Sequence, residues 1–132
     1  MNKFTPLRST LFLVVMLFAF ACTDHSMPSP PTLETLTTTM NCHDLFTYRL
    51  NVVESGTMPV VEYGIVYSAS NPLNPTPTVE SNTKVIFTDT FTDGQKTKVG
   101  NPDCASQTYY RAYAILDGGT VVYGNIIHFS ND

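Results

Sequence analysis

The chain has 132 residues, seven Lys and Arg against eleven Asp and Glu, a formal charge of −4, three cysteines and no tryptophan. That length holds one domain with a real core and is too short for two. The acidic balance argues against nucleic acid and against electrostatic attachment to anionic lipid.

The first element is a leader. Lys3 and Arg8 supply positive charge, Leu11 to Ala21 is an unbroken apolar run of eleven residues, and Ala19-Phe20-Ala21 places small residues before Cys22. Basic, apolar and small-residue regions in that order make a secretory signal. As a helix the run rises only about 17 Å against roughly 30 Å of hydrocarbon, so it is too short to span a membrane. Thr23-Asp24-His25-Ser26 adds nothing apolar to it. The ending resembles a bacterial lipobox, which implies removal of residues 1–21 as a lipoprotein signal peptide and lipidation of Cys22. An ordinary cleaved signal with a free Cys22 is the alternative. Removal leaves 111 of the 132 residues and takes the charge from −4 to −6, because Lys3 and Arg8 go with the leader. Membrane attachment then rests on acyl chains, and the resemblance places the protein in the bacterial cell envelope, lipid-anchored at the outer membrane.

An odd cysteine count in an exported chain needs an explanation. With Cys22 lipidated, Cys42 and Cys104 are an even pair in an oxidising compartment. A bridge between them closes a loop of about sixty residues and contributes on the order of 4 kcal/mol in the chain-entropy model. Two free thiols, or pairing to another chain, are the alternatives.

Residues 22–32, rich in Pro, Ser and Thr, read as an extended tether reaching about 30 Å. From Leu33 onward the apolar period is two and no amphipathic helix is predicted. Leu33–Met40 is a threonine-rich candidate strand. Leu45–Val53 alternates, with Phe46, Tyr48, Leu50 and Val52 on one side. Val60–Ser68 places Val61, Tyr63, Ile65 and Tyr67 together. Asn71–Pro77 is a proline-punctuated loop, and Lys84–Phe91 is a fourth strand ended by Asp93-Gly94. Thr108–Leu116 and Thr120–Phe129 form a hairpin around Asp117-Gly118-Gly119. Five or six short strands split by turn residues predict an all-β antiparallel sandwich over residues 33–132.

Val61-Glu62-Tyr63-Gly64-Ile65-Val66-Tyr67-Ser68, Asn71-Pro72, Tyr109-Tyr110-Arg111-Ala112-Tyr113-Ala114, Gly119-Thr120-Val121-Val122-Tyr123-Gly124-Asn125 and Phe129 together resemble a bacterial fibronectin type III-like domain. The resemblance covers Val60 to Ser130 and implies an immunoglobulin-like β-sandwich. The family's corner tyrosine falls on Thr108, and without tryptophan the core passes to Phe46, Tyr48, Tyr63 and Tyr67. In such a sandwich the loops holding Cys42 and Cys104 lie at one end, so the resemblance also implies their disulfide.

Cys42-His43-Asp44 is not a catalytic triad, since consecutive strand residues point to opposite faces. His25 and His128 lack a second ligand at metal spacing, and the aspartates lack a calcium-loop rhythm. No enzyme activity, cofactor or metal is expected. With Tyr110, Ala112 and Ala114 inward, Tyr109, Arg111 and Tyr113 turn outward in a row, the candidate binding face for protein or glycan. Ordinary packing on a solvated sheet is the bland alternative. The expected function is a non-catalytic binding or adhesion module; a structural accessory or spacer subunit of an envelope assembly is the alternative.

Overall fold

A computed structural model describes residues 26–38, 46–69, 71–100 and 107–130. They form strands β1 (Thr32–Thr35), β2 (Phe46–Glu54), β3 (Val60–Ser68), β4 (Thr83–Ile86), β5 (Gly94–Gly100), β6 (Gln107–Leu116), β7 (Val121–Tyr123) and β8 (Ile127–Ser130). Every pairing is antiparallel. One sheet has the order β1-β2-β5; the other has β4-β3-β6, with β7 and β8 both paired to β6. The two pack into a β-sandwich, as the strand pattern predicts.

The core follows from alternation. Phe46, Tyr48, Leu50 and Val52 of β2 face Tyr63, Ile65 and Tyr67 of β3 and Tyr110, Ala112 and Ala114 of β6 in one buried cluster. Aromatic rings supply much of this cluster. Phe46 and Tyr48 meet edge-on at 4.3 Å, Tyr48 stacks on Tyr67 at 6.1 Å, and Phe91 stands edge-on to Tyr63 at 5.0 Å. Offset and edge-on pairs of this kind add about 0.5–1.5 kcal/mol each beyond burial. The Tyr63 hydroxyl leaves the apolar layer and donates to the Asp89 carbonyl at 2.9 Å.

Five local expectations need correction. Val61 does not join the inward row: the β3–β6 register slips between Val60 and Glu62, and the extra residue turns Val61 out to 64% exposure. The fourth strand ends at Ile86, with Phe87 just beyond it still buried in the core and its N–H donating to the Tyr63 carbonyl at 2.9 Å. The stretch predicted as one last strand is two. Gly124 N still donates to the Ala112 carbonyl at 2.9 Å, and the chain leaves β6 over Asn125 and Ile126, where Thr35 takes its place. Its Oγ1 accepts from Ala112 N at 2.8 Å and donates to the Asn125 carbonyl, while Asn125 Oδ1 accepts from Thr35 N at 2.7 Å. A Cβ on Gly124 would lie 2.9 Å from that same Thr35 Oγ1, so only glycine admits the contact. Lastly, β5 is a strand with no apolar alternation to announce it. The first predicted strand is also shorter, ending at Thr35.

Candidate functional site

Tyr109, Arg111 and Tyr113 do lie on the side of β6 away from the core, as alternation requires. They are not an open row, and here the expected exposed face is corrected. Tyr113 is 0% exposed, and Val66, on the same side of β3, is also 0% exposed. The segment from Ala69 to Asn82, of which residue 70 is outside the described set, forms a strap across this face. Pro77 of the strap is fully buried and its carbonyl accepts from Arg111 Nε at 2.7 Å. The Arg111 guanidinium lies over the Tyr123 ring at 3.6 Å, and the Tyr123 hydroxyl accepts from Val79 N at 3.1 Å. Arginine and tyrosine are thus engaged in fastening the strap. Asn82 Oδ1 accepts from both Asn74 Nδ2 and Thr78 N, and Ser68 Oγ accepts from Asn74 N, which fixes the strap's own turn.

At one end of the strap Glu62 Oε1 accepts from Lys84 Nζ at 2.7 Å and from the Tyr113 hydroxyl at 2.8 Å. The Lys84 ammonium holds the Glu62 carboxyl below its ordinary 4.5; desolvation opposes this, and the Tyr113 hydroxyl adds to the lowering. Burial first, and then the neighbouring Glu62 carboxylate, push the Tyr113 hydroxyl far above its ordinary 10.0. At the other end Tyr109 stacks on His128 at 4.3 Å and 13°, with His128 exposed. Tyr109 and Arg111 are half-buried, so of the outward row only Tyr113 is fully covered.

The edges of the two sheets differ as sharply. The edges of β1 and of β7 and β8 are joined through the Thr35–Asn125 contacts. β4 has four residues and is tied back by Lys84. β5 runs for seven residues, pairs with β2 on one side, and has no strand on the other among the described residues. Lys96 and Lys98 stand opposite Leu50 and Tyr48 and therefore on the core-facing side. They escape the apolar layer at the rim, where Lys96 Nζ donates to Thr92 Oγ1 at 2.7 Å and Lys98 Nζ to the Ile86 carbonyl at 2.5 Å. Nothing in the apolar pattern signals this strand; its two lysines at spacing two were the available clue.

Cys22, Cys42 and Cys104 lie outside the described residues, as do His25, His43 and Asp44. Thr108 is 3% exposed, and its hydroxyl has no partner among the described residues. Two residues on, the Tyr110 hydroxyl accepts from Thr38 N at 3.3 Å, tying the β6 core to the connection after β1. No family model, curated protein or solved structure matches this chain.

Proposed function

We propose that this protein is a lipid-anchored, non-catalytic binding module of the bacterial cell envelope, carried on a fibronectin type III-like sandwich. Strand order supports the resemblance, with three strands (β1-β2-β5) packed on β4-β3-β6 and the split last strand. The anchoring part rests on the lipobox-like ending at Cys22, and one observation gives the orientation it would impose. The chain enters the domain at the β2–β3 turn, where Ser29 O accepts from Thr57 N at 2.9 Å and from Met58 N at 3.1 Å. A lipid on Cys22 would hold that end toward the membrane. Strands of nine and ten residues would then carry the strap, Tyr109 and His128 about 30 Å outward. That display suits a partner protein or glycan. The accessory or spacer reading draws on a different observation, the strap that closes the outward tyrosine row.

The test is labelling of cells with a radioactive fatty acid, for wild type and Cys22→Ala, followed by protease shaving of intact cells. Expected are label on the wild type alone, transfer of the variant to the aqueous phase of a detergent partition, and release of peptides such as Val99–Arg111 from outside. Unlabelled wild type overturns the anchor. Protection until the outer membrane is opened moves the domain to the periplasm and favours the accessory reading.

A further inference from the structure

We infer that the free edge of β5 is a docking strand for an extended acidic segment of a partner protein, which adds to the β1-β2-β5 sheet as a fourth strand. This rests on the binding-module reading and names its surface. Of the five Lys and Arg after residue 22, Lys84 pairs with Glu62 and Arg111 is held under the strap. The other three, Arg49, Lys96 and Lys98, all lie on β5 or on the β2 row beside it. None of the three meets a carboxylate among the described residues: Arg49 donates to Gln95 Oε1, and the lysines to a hydroxyl and a carbonyl. Among the described residues, the two lysines that meet no carboxylate therefore lie on the longest free edge, with Arg49 on the row beside it.

Backbone groups on an open edge offer hydrogen bonds to any extended chain, and charges decide which chain is accepted. A second copy paired through β5 would set lysines against lysines, which like-charge contacts across strands disfavour. An acidic strand meets the opposite situation. Because strand side chains alternate, acids at positions i and i+2 of the incoming segment fall on the face of Lys96 and Lys98. The residues between them fall beside Gln95, Thr97 and Val99, and Val99 is 54% exposed, which favours a β-branched neighbour there. The inferred partner motif is acid-x-acid with a β-branched residue at x.

The probe is an eight-residue peptide with Glu at i and i+2 and Thr or Val between, titrated against the full chain in detergent at low salt. Controls are the same residues permuted to put the acids at i and i+3, and a lysine version. Amide exchange is followed by mass spectrometry. The expected result is binding of the alternating acidic peptide alone, weakened by salt, with slowed exchange in residues 94–100 and none slowed in β4. Lys96→Glu with Lys98→Glu should weaken binding about tenfold or more, while Lys96→Arg with Lys98→Arg preserves it and shows the fold intact. Binding without protection of β5, equal binding of the permuted peptide, or protection of β5 by self-association without peptide each overturns the inference. Peptide bound elsewhere leaves the binding-module reading standing; no binding to this peptide or to protein and glycan arrays removes both.

Discussion

The outward faces of the two sheets were built by the same alternation and ended in different surroundings. On the β1-β2-β5 sheet, Thr47, Arg49, Asn51, Gln95, Thr97 and Val99 stand over solvent, joined by side-chain contacts such as Asn51 to Glu34 at 3.4 Å. On the other sheet the strap covers the equivalent face, and Val66 and Tyr113 have no exposure at all. Alternation decides which side chains turn away from the core; it does not decide whether they reach water. A second layer does that, and here it is a connection between neighbouring strands rather than a helix or a third sheet. The two faces are therefore expected to respond differently to the same kind of substitution.

The widest separation is expected at Tyr113. Tyr113→Ala removes a fully buried ring, so about 3–5 kcal/mol of stability should be lost, read as a shift in the urea midpoint. A loss under about 1 kcal/mol would mean that the strap leaves this face in solution, and the outward tyrosine row would regain its standing as a binding surface. A matched pair sharpens the contrast. Val66→Thr and Val99→Thr each exchange a methyl for a hydroxyl without changing shape or strand preference. The first buries that hydroxyl and should cost about 1–3 kcal/mol; the second, on a residue 54% exposed, should stay within about 0.5 kcal/mol. Equal costs would erase the difference between the faces.

Part of this difference was legible in the residues. The run Gly64-Ile65-Val66-Tyr67 has apolar groups on both sides of the strand, the pattern of a strand buried on both faces. Tyr113, flanked by Ala112 and Ala114, belongs to the same pattern on β6. Reading those rows as half-buried set Tyr109, Arg111 and Tyr113 in solvent. What no residue pattern showed was the covering element, since Asn71 to Asn82 carries turn residues and its docking depends on long-range partners, Arg111 and Tyr123. The inward rows Phe46-Tyr48-Leu50-Val52 and Tyr110-Ala112-Ala114 were plain, because apolar alternation is a direct consequence of burial on one side. β5 was hidden for the opposite reason. Its inward positions carry lysine, which reaches the rim instead of filling the core, so hydrophobic periodicity has nothing to register. The break between β7 and β8 likewise depends on Thr35, 77 residues away from the Ala112 amide it satisfies.

A further small effect concerns the charge at the strap's edge, and its sign follows from the Glu62 shift. Its folded carboxyl is held below the ordinary 4.5 by Lys84, so the interaction stabilises above that value and is lost as pH falls through the folded pKa. Glu62→Gln keeps the shape and an acceptor for the Tyr113 hydroxyl while removing the charge. Because the Lys84 and Glu62 side chains retain 31% and 25% exposure, the cost at pH 7 should be about 1 kcal/mol or less after solvent screening. Wild type should lose that margin from about pH 4.5 downward, and the variant, having none to lose, should converge with it. Urea midpoints of both proteins across that range provide the check. Parallel pH profiles would show that the ammonium–carboxylate contact contributes nothing at this site. The strap would then be held by its buried proline, its asparagine turn and the Arg111–Tyr123 stack, and the covered face would owe its closure to packing rather than charge.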